Sequence, residues 1–192
     1  MAQRLPRSHE PLPLIEVRPG QHVVRQGEIY AGPWVLQSGA MLASAVSHDG
    51  RVLALDVLGP GDLVGEPDGA PAEHGVTALR PGQMRAAEAA EAVGLAAARA
   101  RRIAALARDL AWLDVGSRIE GRLVDLAARF GRPVPGGTLV SLPLTQEDLA
   151  ALTGTSRESA NRALRTLQRE GRVASATRGR YVVRASPLSA GA

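Results

Sequence analysis

The sequence predicts an α+β chain in three consecutive parts, and three patterns predict it. Short apolar runs parted by glycine-containing turns fill the first part, two apolar-seamed helical stretches follow, and a capped pair of short helices with a closing hairpin ends the chain. In the first part, Leu14-Ile15-Glu16-Val17 leads into an Arg18-Pro19-Gly20 turn and His22-Val23-Val24-Arg25 into Gln26-Gly27-Glu28. Val35-Leu36 runs to Gly39, and Met41 to Val46 and Val52 to Leu58 flank Ser47-His48-Asp49-Gly50. An Asp-Gly pair between two apolar runs is a hairpin signal. After the Gly59-Pro60-Gly61-Asp62 turn, Val76 to Leu79 reads as a strand and Gln83 to Ala89 as another, with helix a competing reading from Ala86 onward because alanine is so frequent there. Many short strands with frequent turns suggest a small sandwich or barrel.

In the second part, Ile103, Leu106, Leu110 and Leu113 recur at spacings of 3, 4 and 3, with Arg99, Arg101, Arg102 and Arg108 off that seam. Two readings stand: packing of the helix against its own domain, or a two-helix contact between chains. Asp114 suits the cap of a second helix, in which Ile119, Leu123, Leu126 and Phe130 form one face before Gly131, Pro133 and Pro135 end it.

Composition narrows the function classes. The chain of 192 residues has no cysteine, which excludes disulfides, thiolate catalysis, iron–sulfur clusters and Cys-type zinc sites. No run approaches the roughly 20 apolar residues of a membrane span. Residues 1–13 read as a loose polar tail without the apolar core of a secretory signal. Of the net +4, residues 131–192 carry nine arginines against four acidic residues, whereas residues 1–130 carry fourteen against fifteen. The positive excess is therefore C-terminal, as suits a unit that meets a polyanion. All 23 basic residues are arginine, which reads as compositional bias rather than as selection for phosphate forks. No Ser/His/Asp set, paired carboxylates, metal-ligand spacing or phosphate-cradling glycine loop is present, so an enzyme is not expected.

The third part carries the functional signal. Thr145 caps a helix with Asp148 in the capping-box position, Gly154-Thr155-Ser156 breaks it, and Ser156 caps a second helix from Arg157 to about Arg169. Leu144, Leu149 and Leu152 give the first helix an apolar face, and Ala160, Leu164 and Leu167 the second. Two short helices joined by a tight glycine turn form a helix-turn-helix. The outer positions Arg157, Glu158 and Arg162 carry base-reading chemistry: arginine matches the two major-groove acceptors of guanine, and glutamate accepts from the cytosine amino group. Thr145, Ser156 and Ser159 offer hydroxyls to phosphates, and the hairpin of Val173 to Ala176 and Tyr181 to Arg184 offers Arg178 and Arg180 as a wing on the backbone.

The run Leu144-Thr145-Gln146-Glu147-Asp148-Leu149 through Ser156-Arg157-Glu158-Ser159-Ala160-Asn161-Arg162 to Leu167 resembles the winged helix-turn-helix of the cyclic-AMP receptor protein / fumarate-nitrate regulator family. Trp112 to Ile119 resembles the family's hinge after its dimer helix, and Val57 to Glu66 the last turns of its cyclic-nucleotide-binding β-roll. The resemblance implies an N-terminal cyclic-nucleotide-binding-like β-roll over residues 14–94, a long dimerisation helix over 95–114, a C-terminal winged helix-turn-helix over 115–186, and a tail over 187–192. It implies a cytoplasmic homodimer, with Ile103, Leu106, Leu110 and Leu113 at its interface, that binds double-stranded DNA at a near-palindrome of TGTGA-like half-sites. RNA polymerase is the further partner it leaves open.

The resemblance also implies an effector pocket, from which this sequence departs. Gly65-Glu66 match the pair that holds the ribose, but the place of the phosphate-binding Arg-Ser/Thr pair is taken by His74-Gly75, which supply neither guanidinium fork nor hydroxyl. The hydroxyl positions of the dimer helix fall near Ile103 and Ala104. The expectation is therefore a regulator without cofactor and independent of cyclic AMP. The alternatives are a member whose DNA binding requires an effector, and a nucleotide-binding signalling module whose last part contacts protein.

Overall fold

The computed structural model describes residues 14–29, 32–66, 70–177 and 179–184. Strands β1 (Ile15–Val17), β2 (His22–Val24), β3 (Trp34–Val46), β4 (Val52–Leu58), β5 (Leu63–Val64) and β6 (Gly75–Ala86) form one antiparallel sheet in the order β1-β6-β3-β4, with β2 on β6 and β5 on β3. The sequence reading divides β3 at Gly39 and β6 near Pro81-Gly82; in the structure both strands run through. Gly39 takes φ +97, and a Cβ there would lie 2.7 Å from the Pro81 carbonyl oxygen. These glycines let two strands bend together through a series of bulges rather than end.

Helices α1 (Ala89–Trp112) and α2 (Val115–Phe130) follow, then strands β7 (Gly131–Val134) and β8 (Gly137–Val140). The competition at Ala86 resolves with the strand ending there and α1 starting at Ala89, upstream of the expected 95. The second helix starts as read, with Asp114 accepting from the Ser117 N–H at 3.0 Å. The β7–β8 hairpin was hidden by its prolines. Helices α3 (Gln146–Leu152) and α4 (Arg157–Arg169) and strands β9 (Val173–Ser175) and β10 (Tyr181–Val183) complete the chain, with a second sheet ordered β7-β8-β10-β9.

The two halves share a core. Along β3, successive side chains alternate between faces: Met41 and Ala43 join the β-roll interior with Leu36, Leu58 and Met84, whereas Ala40 and Leu42 join Ile119, Leu123, Leu149 and Leu164 of the helical unit. No helix among the described residues is long and apolar enough to cross a membrane.

The seam expected between chains lies largely against elements of the same chain. Leu106 is 2% exposed within its own chain, and Leu110 lies over Gly154 of the helix-turn-helix, where an added Cβ would come 2.6 Å from its Cδ2. Ile103 is half-buried on the same side, and only Leu113 is open. This face packs on β4, β5 and the turn before α4 because it is the large-residue side of the helix. The outward stripe of α1 is instead Val93, Ala97, Ala104, Ala107 and Ala111, with Ala100 completing a spacing of 4, 3, 4, 3 and 4.

Candidate nucleic-acid interface and pocket

The helix-turn-helix assembles from its local signals. The Thr145 hydroxyl accepts from the Asp148 N–H at 3.0 Å while the Asp148 carboxylate accepts from the Thr145 N–H at 2.8 Å, closing the capping box. Thr153 is fully buried, its hydroxyl donating to the Leu149 carbonyl at 2.7 Å, and Gly154 turns the chain at φ +57. Ser156 accepts from the Ser159 N–H at 3.2 Å and starts α4, whose Ala160, Leu164 and Leu167 are buried. The hydroxyls of Thr145 and Ser156 thus cap their helices and remain exposed, whereas Ser159 is half-buried. Behind the wing, the Leu144 N–H donates to the Gly179 carbonyl at 3.0 Å. Arg178 lies outside the described residues; Arg180 is exposed.

This scaffold puts Arg157, Glu158 and Arg162 together on one exposed face of α4. The N-terminal backbone of α4, then the Ser156 side chain, hold the Glu158 carboxyl below the usual range, so it is an acceptor at neutral pH. The Arg157 guanidinium is braced from α3, by Glu147 at 3.0 Å and by the Gln146 side-chain oxygen at 3.4 Å, which also accepts from Asn161 at 2.8 Å. The sequence reading missed this brace. It also missed Arg165 and Arg169, which continue the face of Glu158 and Arg162 with Asn161 and Thr166 beside them. Their spacing of 4, 3 and 4 along one helix was the available signal.

The second candidate site lies between β5, β6 and α1. Glu66 receives the Arg99 guanidinium at 2.7 Å and faces the His74 Nδ1 at 3.2 Å, and Arg99 also donates to the Gly65 carbonyl at 2.9 Å. Gly75 opens β6 and contributes backbone alone. Arg99 was read as lying off the seam, yet it is 7% exposed. It lies one heptad before Leu106 and so shares its inward face. The carboxylate expected to meet ribose hydroxyls is therefore paired to an arginine of the same chain, and neither His74 nor Gly75 presents a guanidinium fork.

His74 is 4% exposed, and its Nε2 is buried without a hydrogen-bond partner among the described residues. Burial, then the Arg99 charge, hold its imidazole below the ordinary 6.5, against Glu66, Glu73 and Asp56. The folded chain keeps His74 neutral where the unfolded chain already takes up a proton, so stability present at neutral pH declines as pH falls below 6.5 toward the folded value. Between pH 7 and pH 5 the melting temperature of the wild type is expected to fall more steeply than that of His74→Gln; parallel pH profiles would refute it.

Comparisons with known proteins match both halves of the chain. The Crp-like helix-turn-helix domain matches residues 117–186 and the cyclic nucleotide-binding domain residues 14–103. A curated protein of Mycobacterium tuberculosis named CRP-like cAMP-activated global transcriptional regulator is 32% identical over 169 residues, covering 79% of this chain and 75% of its own. The chain belongs to the CRP/FNR family of transcription regulators. Among solved structures, a CRP family regulator of Thermus thermophilus superposes with TM-score 0.78 at 23% identity, covering 89% of this chain and 92% of its own. The c-di-GMP responsive global regulator CLP of Xanthomonas campestris superposes with TM-score 0.77 at 24% identity, covering 91% and 95%. These two likenesses are of fold. As a family member, the chain is a transcription regulator with a DNA-binding helix-turn-helix.

Proposed function

We propose that this regulator works in the cytoplasm as a homodimer, reads a near-palindromic operator with TGTGA-like half-sites, and does so without cyclic AMP. The observation that carries the reading is the exposed row of Arg157, Glu158 and Arg162 at the N-terminal end of α4, on a helix capped at Ser156 and seated on a buried apolar face. Such a row enters the major groove with two guanine-matching forks and one cytosine-matching acceptor. Pairing of chains is supported by the outward stripe of Val93, Ala97, Ala100, Ala104, Ala107 and Ala111, which would let two α1 helices approach closely. Trp112, 77% exposed, would gain cover at the end of that contact. Independence from cyclic AMP is supported by the Arg99–Glu66 pair within the chain.

A second reading, DNA binding that requires an effector, is favoured by the retained Gly65-Glu66 pair and by the name of the Mycobacterium tuberculosis relative. The test is a titration of purified protein against a palindromic TGTGA-type duplex and a scrambled duplex at fixed salt, with and without cyclic AMP. Selective binding without nucleotide is expected. Selectivity only with cyclic AMP would establish the second reading, and equal binding of both duplexes would overturn the operator assignment.

A further inference from the structure

Two aspartates of the β-roll and two arginines from different helices close a ring where the three parts of the chain meet. Asp56 lies on β4 and Asp62 in the turn before β5, while Arg102 lies on α1 and Arg129 in the last turn of α2. Arg102 donates through Nε to Asp56 at 2.6 Å and through Nη2 to Asp62 at 2.8 Å; Arg129 donates through Nη1 to Asp56 at 3.2 Å and through Nη2 to Asp62 at 2.8 Å. Each of the four carboxylate oxygens accepts from one arginine, and each arginine spans both aspartates, so the ring is neutral and geometrically determined. It is partly sheltered: Asp56 is buried, while the side chains of Asp62, Arg129 and Arg102 are 16%, 23% and 29% exposed. Asp62 further accepts from the Gly59 N–H at 2.8 Å, and the Phe130 ring, 5.1 Å below the Arg129 guanidinium, lies so close to Gly59 that a Cβ there would come 2.8 Å from it.

Neither base reading nor the hydrogen bonds of the Glu66 pocket use these groups, although the Asp56 charge is felt at His74, and they touch every part. Arg102 lies on the inward side of α1, opposite the alanine stripe, and Arg129 ends the helix whose Ile119, Leu123 and Leu126 share a core with α3 and α4. The ring therefore ties the helix available for pairing to the unit that carries α4, beside the direct contact of Leu110 with Gly154. In a twofold dimer the angle between that helix and that unit sets the separation of the two copies of α4, and hence the distance between the half-sites they reach. We propose that the Asp56–Arg102–Asp62–Arg129 ring sets the half-site spacing that the dimer accepts, with Arg129 as the positioning residue. This rests on the dimeric reading above. Partial shelter from water makes such a two-point clamp stiffer than an exposed ion pair. Loss of Arg129 leaves both aspartates bridged by Arg102, while Asp56 Oδ1 and Asp62 Oδ2 lose their arginine donor.

The test measures affinity for duplexes with two identical half-sites, their separation varied in single base-pair steps around one helical turn, for the wild type and Arg129→Gln. The wild type is expected to show a sharp optimum. In Arg129→Gln the ratio between best and worst spacing should fall roughly 2- to 30-fold, with base preference inside each half-site and the dimer mass unchanged. Asp62→Asn, close in shape, should flatten the profile likewise and serves if Arg129→Gln melts early. A folded dimer with the wild-type profile, or with equal loss at every spacing, would overturn the proposal. A wild type that binds one half-site as tightly as two would instead overturn the dimeric reading.

Discussion

Ala104→Arg is expected to give a folded monomer whose affinity for a two-half-site operator drops about 10²- to 10⁴-fold, while its affinity for a single half-site barely changes. Ala104 is exposed at the centre of the outward stripe of α1, between Ala100 and Ala107, with Arg101 and Arg108 already nearby. A large cation there disrupts nothing within the chain, but two copies facing each other across a twofold axis would clash and repel. The loss arises because the second half-site is then no longer engaged at the high effective concentration that the first contact creates. Leu106→Arg distinguishes this stripe from the large-residue face. Leu106 is buried in its own chain, so its replacement should lower the melting temperature steeply rather than yield a stable monomer. Sedimentation or light scattering with a thermal melt decides between the two faces. A folded Ala104→Arg dimer would remove the alanine stripe from the interface.

Arg157→Ala is expected to lose about 1–3 kcal/mol of discrimination at one guanine of each half-site and little elsewhere. The side chain is exposed and held in place by Glu147 and Gln146, so its truncation leaves the fold intact and removes one fork. Arg157→Lys should restore charge but not preference, since an ammonium cannot match both guanine acceptors at once. Arg169, farther along the same face, provides the contrast. Its replacement by alanine should weaken binding to every sequence alike and lower the salt dependence by about one counterion. Titrations against a panel of single-base variants at two salt concentrations check both. A uniform loss for Arg157→Ala would reassign it to the DNA backbone.

Much of the DNA-facing unit is legible in the sequence because its signals are local. The Thr145–Asp148 capping box, the glycine at the turn, the Ser156 cap and the spacing of Ala160, Leu164 and Leu167 each specify geometry within a few residues, and the structure realises each of them. The β-roll is legible as strands but not as a count of strands. Gly39 and Pro81-Gly82 carry the chemistry of turns, and only their mutual pairing shows that they are bends within long strands. The β7–β8 hairpin escaped because Pro133 and Pro135 weaken any strand reading.

The largest differences concern direction. Periodicity identified α1 as a helix with a seam of large apolar residues, and by itself could not say whether that seam meets the rest of the same chain or a second one. The sequence alone determined the family, the two helix pairs, the caps and the row of Arg157, Glu158 and Arg162 on one side of α4. Only the tertiary structure decided that Leu106 turns inward, that Arg99 enters the Glu66 pocket, and that Arg102 and Arg129 meet over the same two aspartates. Caps and periods are set by interactions between neighbours in the chain, whereas the face a helix buries, and the charge that meets an aspartate 46 or 73 residues away, depend on how distant elements pack.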